Sequence, residues 1–195
     1  MKKIVLASNN KHKIEEFKKL FENYEFMTMA DVGFFEDIEE NGTTFLDNSL
    51  IKAKAVQDFL KKNNIEAFVI ADDSGLCVDA LDGAPGVYSA RYGGNHDSLA
   101  SRNLLLKNME GIKDRTAHFE CVIVKMDPDC NYIYTTGKCF GKIADKAYGD
   151  AGFAYDPIFL SDDLNKTFAQ VTMEEKNSVS HRARALEDLK RKWNF

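Results

Sequence analysis

The chain has 195 residues, 44% hydrophobic and 29% charged, the balance of a soluble globular protein long enough to bury a sizeable core. A net charge of −5 argues against a broad nucleic-acid footprint. No apolar stretch approaches the roughly 20 residues of a membrane helix, and the apolar run Ile4 to Ala7 is too short for a signal peptide, so a cytoplasmic protein is expected. Four cysteines, Cys77, Cys121, Cys130 and Cys139, form no C-x-x-C pair and show no clustering with the histidines. Neither a disulfide framework nor a structural zinc site is expected from them.

In chain order, "KIVLAS" reads as a short buried strand. "NKHKIEEFKKLF" reads as an amphipathic helix with Ile14, Phe17, Leu20 and Phe21 on one face and Ser8 to Asn10 as its cap region. Within "EENGTTFLDNSLIKAKAVQDFLKKNN", Thr44 three residues before Asp47 marks a capping box and a long helix. The strand "AFVIA" is expected to end at Asp72 and Asp73, with a Gly- and Pro-containing loop after it. "SLASRNLLLKNME" is a further helix, and "TAHFECVIVKM" and "NYIYTTGKCFGKI" are strands of a hairpin turning at "DPDCN". A Gly- and Tyr-rich loop leads to the short strand "IFL". A second capping box joins Thr172 to Glu175, and "SVSHRARALEDLKRKW" closes the chain as one amphipathic helix carrying Val179, Ala183, Leu186, Leu189 and Trp193. Strands alternating with helices, plus one hairpin, predict an α/β fold with a mixed sheet.

Several stretches carry chemistry. Ser8, Asn9 and Asn10 stand at a helix N-terminus, where unpaired N–H groups and the helix dipole favour an anion. Lys11 and Lys13 in the first turn oppose that dipole but suit a phosphate; an ordinary capped helix with surface lysines fits equally well locally. No Walker A pattern occurs. Asn48 and Lys52 share one face of the second helix, a spacing more often solvent-facing. Two acid pairs, Glu39–Glu40 and Asp72–Asp73, suit a magnesium ion, which takes one or two carboxylates, water and substrate phosphates. Two solvated turns are the plainer alternative. If the first and third strands are parallel neighbours, Ser8–Asn10 and Asp72–Ser74 meet beyond the strand ends. Late in the chain, Phe153 and Tyr155 could stack on a base or fill the core of a turn, and Lys176, His181 and Arg182 supply donors. The combination describes a magnesium–nucleotide pocket.

"SNNKHK", "EENGTTFLDNSLIKA", "ADDSGLCVDALDGAPGVYSARY", "GFAYDPIF" and "EEKNSVSHRARAL" resemble, in order and spacing, the motifs of the inosine triphosphate pyrophosphatase family. The resemblance covers about residue 4 to residue 189. It implies hydrolysis of non-standard purine nucleoside triphosphates (ITP, dITP, XTP) to the monophosphate and pyrophosphate, clearing deaminated purines from the nucleotide pool. The fold it implies is one α/β domain of two lobes, residues 1–195, on a long mixed sheet with flanking helices and a central active-site cleft, usually a homodimer. By motif match, substrate binding falls to Ser8, Asn9, Asn10, Lys11, His12 and Lys13 with Lys52 and Ser74. Base recognition falls to Phe153, Ala154, Tyr155 and Asp156, with Lys176, His181 and Arg182. Glu39 and Asp73 match the Mg²⁺ ligands, and Asp73 the general base. The family usually has Gly where this chain has Ala154, and commonly Gly where it has Asn9. The septum-formation-inhibitor-like pyrophosphatases resemble it in the opening strand and helix, but their start is typically rich in Ser, Pro and Arg. A non-catalytic nucleotide-binding module would have no need of Glu39, Asp73 and the lysines together.

Overall fold

A computed structural model describes residues 2–94 and 96–193, apart from the side chains of His12, Lys19 and Leu20. The elements are β1 (Lys3–Leu6), α1 (Lys11–Leu20), β2 (Glu25–Thr28), α2 (Phe45–Lys62), β3 (Phe68–Val78), α3 (Ser98–Asn108), β4 (Thr116–Met126), β5 (Tyr132–Ile143), β6 (Phe159–Ser161), β7 (Lys166–Thr167), α4 (Met173–Val179) and α5 (His181–Trp193). Among the described residues, seven strands form one sheet in the order β2-β1-β3-β4-β5-β6-β7. β1 pairs in parallel with β2 and β3, whereas β6 pairs antiparallel with β5 and β7, so the sheet is mixed.

Local chemistry sets the element boundaries as expected at most positions. The Asn10 side-chain oxygen accepts the Lys13 N–H at 3.3 Å and opens α1. Thr44 and Asp47 form the reciprocal capping box of α2, and Thr172 and Glu175 that of α4. The Asp127 N–H donates to the Asn131 carbonyl, closing the turn between β4 and β5.

Two expectations are corrected. β3 does not stop at the acidic pair; it runs on to Val78, so Asp72 and Asp73 lie in mid-strand. Backbone pairing continues through positions whose side chains are polar, and the side-chain partners described below offset the cost of burying them. The last helical segment is also not continuous. Ser180 is extended (φ −64°, ψ 154°), which assigns Val179 to α4 and starts α5 at His181. Ala185 rather than Ala183 then joins Leu186 and Leu189 on the buried face.

The chain divides into two compact units, Met1–Asp73 with Val122–Thr135, and Ser74–Cys121 with Thr136–Phe195. In the first, Val56 and Leu60 of α2 pack with Val5, Val69, Ala71, Val124 and Met126 of the strands. In the second, the aromatic rings of Phe119, Phe159 and Phe168 meet at centroid distances of 4.7 to 6.0 Å, packed with Leu76, Leu105 and Tyr155. Each unit thus buries its own apolar cluster, at about 1.5–3 kcal/mol per fully buried large side chain.

Candidate active site

In the first unit, the register of β1 against β3 positions the acids. Leu6 stands opposite Ile70, and the Ala7 N–H donates to the Ile70 carbonyl at 2.7 Å. β1 ends there while β3 continues to Asp72, so the parallel neighbours bring the start of α1 to the acidic pair as anticipated. Asp72 is 1% exposed, which rules out a solvated turn. Its carboxylate receives the Lys13 ammonium at 2.8 Å. Lys13 is therefore not a free surface lysine of an ordinary capped helix.

Asp73 is held from α2. Its Oδ2 accepts from the Asn48 amide at 2.9 Å, and the Lys52 Nζ lies 3.9 Å from its Oδ1. Asn48 also accepts the Gly42 N–H at 2.9 Å, tying the loop before α2 to the same carboxylate. Lys52 donates to Glu40 at 2.6 Å. Burial pushes the Asp73 carboxyl above its usual range, helped by the charge of Glu40 and opposed by Lys52, the Asn48 amide and Lys13. Asn48 and Lys52, spaced as a solvent-facing pair, are instead buried.

The second unit gathers the late basic and aromatic residues. Asp156 is 3% exposed, and its Oδ2 accepts both the Lys176 ammonium at 2.7 Å and the Phe153 N–H at 2.9 Å. The Lys176 Nζ sits 4.7 Å from the Phe153 ring centroid and 5.3 Å from that of Phe168. His181 stacks on Phe119 at 5.0 Å, and Arg182 reaches Ser74 Oγ at 3.4 Å. Phe153 is exposed, whereas the Tyr155 ring is core: its hydroxyl donates to the Ser89 carbonyl at 2.9 Å, and burial raises its pKa to about 12. Ala154 takes φ 49°, the left-handed conformation that glycine adopts without a steric cost.

The expected residues thus fall into two groups. Lys13, Lys52 and Asp73 converge in the first unit; Ser74, Phe153, Asp156, Lys176, His181 and Arg182 lie in the second. Ser8 is half-buried and bonded to the Asn10 N–H, while Asn9, Lys11 and Glu39 are exposed. The His12 side chain lies outside the described residues. Sequence reasoning gave Asn48 no role and left Glu40 undecided. The available signal for Asn48 was its position one helical turn before Lys52.

The donor set of the first unit, the carboxylates of Glu40, Asp72 and Asp73, is all oxygen and fits a hard cation such as Mg²⁺; Glu39, the sequence neighbour of Glu40, is exposed. Among the described residues no helix is long and apolar enough to cross a membrane.

The sequence model of the Ham1 family matches residues 4–192. A relative from Clostridium perfringens named dITP/XTP pyrophosphatase is 45% identical over 97% of this chain and 96% of its own length. One of the same name from Bacillus subtilis is 43% identical over 97% and 96%. Among solved structures, the Ham1 protein of Staphylococcus aureus superposes with a TM-score of 0.92 at 42% identity, covering 99% of this chain and 98% of that one. A HAM1 protein from Coxiella burnetii gives 0.90 at 37% identity, covering 100% and 99%.

Proposed function

The chain belongs to the Ham1 family, and on that premise we propose that it hydrolyses the triphosphates of non-standard purine nucleosides, dITP, ITP and XTP, to the monophosphate and pyrophosphate. The observation that carries the reading is the set Lys13–Asp72 and Lys52–Glu40–Asp73–Asn48, lysines and carboxylates held together with Asp72, Lys52 and Asn48 buried. It offers cations to phosphates and a positioned carboxylate to water.

In the reaction, a water oxygen bonds to the α-phosphorus while the bond from that phosphorus to the bridging oxygen breaks. The electron pair leaves with pyrophosphate, and Asp73 takes the proton of the attacking water. Asn48 fixes the orientation of that carboxylate, and Lys13 and Lys52 stabilise charge on the phosphates. Glu39 and Asp73 would hold Mg²⁺, which, when bound, supplies Lewis-acid stabilisation of the departing pyrophosphate. Ser8, Asn9, Asn10, Lys11 and His12 at the start of α1 would serve the phosphates, and Ser74 is a further proposed substrate ligand.

Base recognition falls to the second unit's set. Hypoxanthine and xanthine carry an oxo group at C6 where adenine carries an amino group. A donor from Lys176, His181 or Arg182 facing that oxygen would lose its acceptor and meet an amino group in adenine, costing about 1–3 kcal/mol. Phe153, flanked by Ala154 and Tyr155, offers an exposed ring for stacking, and Asp156 holds Lys176 in place. The protein is further proposed to act in the cytoplasm as a homodimer, the latter tested by light scattering.

The deciding experiment measures pyrophosphate released from ITP, dITP, XTP, ATP, GTP and dTTP, each with Mg²⁺ and with EDTA. Metal-dependent pyrophosphate from ITP, dITP and XTP, abolished in Asp73→Asn with the fold intact, is the expected result. Release of orthophosphate, or near-normal turnover by Asp73→Asn, refutes the mechanism.

A further inference from the structure

Outside the residues given a role above, adjacent strands of the second unit carry a mixed donor set on the face opposite its core. Leu76 and Val78 of β3 and Ala117 and Phe119 of β4 point into the apolar cluster. Alternation therefore turns Cys77, His118 and Glu120 the other way. The Cys77 sulfur, a ring nitrogen of His118 and a carboxylate oxygen of Glu120 all lie within 4.8 Å of one another. His118 Nε2 and Glu120 Oε2 are 3.5 Å apart. We propose that these three side chains form a Zn²⁺ site, distinct from the magnesium site of the phosphates.

Three features support it. A tetrahedral ion with bonds of about 2.1 Å needs donors about 3.4 Å apart, close to the 3.5 Å between His118 and Glu120, and the sulfur lies within 4.8 Å of both. Sulfur and imidazole select Zn²⁺, whereas the all-oxygen set of the first unit selects Mg²⁺, so the two ions partition by chemistry. Finally, a cation already stands among the donors: the Lys138 ammonium is 2.9 Å from Glu120 Oε2 and 3.4 Å from His118 Nε2. Its side chain is 41% exposed and can swing into solvent when a divalent ion takes its place. In the free protein the Cys77 thiol keeps its proton, because burial pushes it up to about 11, with Glu120 and Asp79 adding to the effect and Lys138 opposing it. Ion binding sends that proton to solvent. Three protein ligands leave a fourth position for water, and the bound ion fastens β3 to β4.

The test titrates the metal-free chain with Co²⁺ in excess Mg²⁺, followed by Zn²⁺. The expected result is a thiolate-to-cobalt charge-transfer absorption that saturates at one ion per chain and is bleached by Zn²⁺. Cys77→Ser should abolish that absorption, and His118→Ala and Glu120→Gln should each weaken Co²⁺ affinity at least tenfold, with circular dichroism unchanged. Lys138→Met, which removes the competing ammonium, should tighten it several-fold. Asp73→Asn should leave it unaltered. Absence of the absorption in the unsubstituted chain, its persistence in Cys77→Ser, or its loss in Asp73→Asn overturns the proposal.

Discussion

Replacing Lys176 with methionine isolates a buried ion pair that holds the second unit's basic and aromatic set together. Asp156 is 3% exposed and Lys176 8% exposed, with nitrogen and oxygen 2.7 Å apart. Removing one partner of such a pair strands the other charge, which typically costs about 3–5 kcal/mol. The Phe153 N–H still donates to the same carboxylate oxygen, so the lower end, about 3 kcal/mol, is expected for Lys176→Met. For a chain of this length that is a fall of about 6–12 °C in the thermal midpoint. Asp156→Asn should cost less, about 1–2 kcal/mol, because the stranded ammonium keeps the faces of Phe153 and Phe168. The double variant, with neither charge, should lie within about 1 kcal/mol of the unsubstituted protein. Urea denaturation of all four proteins without nucleotide measures the coupling. A loss below about 1 kcal/mol for Lys176→Met, or strict additivity in the double variant, refutes the reasoning. Turnover separates fold from recognition: a double variant that regains stability but no longer prefers ITP over ATP assigns Lys176 to the base.

Gly137 of β5 faces α5 so closely that an added Cβ would press on the His181 carbonyl and the Ala185 amide, both backbone. Gly137→Ala should therefore displace α5, costing about 1–3 kcal/mol in thermal unfolding and raising KM for ITP through His181 and Arg182; an unchanged midpoint refutes it. Asn48→Ala leaves Asp73 without its amide donor, and kcat should fall on the order of tenfold to hundredfold with the fold preserved; an unaltered kcat shows that Asn48 does not position the carboxylate. The Thr28 N–H and hydroxyl hold the Asp31 carboxyl below its usual range. A depressed folded-state pKa stabilises above the unfolded value of about 3.9 and loses that effect as pH falls through the folded value. The urea midpoint of Asp31→Asn should thus trail the unsubstituted protein at pH 7 and converge with it on acidification, and a gap that widens in acid contradicts the assignment.

What was legible in the sequence is what neighbouring residues decide. The caps at Asn10, Thr44 and Thr172, the β4–β5 turn and the apolar faces of the helices depend on groups within a few residues of each other. The end of β3 was misplaced because hydrophobic alternation is silent where the side chains are acids, although the backbone continues to pair. The break at Ser180 was invisible for the opposite reason: the apolar spacing runs on through it. Side-chain partnerships over distance left no local trace. Asn48 meets Asp73 across 25 residues, and Lys176 meets Asp156 across 20. Cys77, His118 and Glu120 looked scattered because the strands that align them are far apart in the chain.

The crowding of Asp72 and Asp73 has its explanation in how the lysines are shared. Three carboxylates, Glu40, Asp72 and Asp73, face two ammonium groups, Lys13 and Lys52. Buried charges persist only when paired, and here each acid has a lysine within ion-pair distance, with Lys52 divided between Glu40 and Asp73. The same two lysines are the cations assigned to the phosphates. On the proposed function, a polyanionic triphosphate that draws them away would uncover the acids, and the Asp73 oxygens would then be open to the divalent cation. Substrate and metal would thereby be coupled, each relieving the repulsion that the other's arrival would create. Neutralising Asp72 by substitution should break that coupling. Asp72→Asn releases Lys13 from its partner in the free protein, so triphosphate affinity in EDTA should rise while the dependence of affinity on Mg²⁺ should shrink. Calorimetric titration with dITP, with and without Mg²⁺, measures both terms, and an unchanged magnesium dependence in Asp72→Asn refutes the exchange.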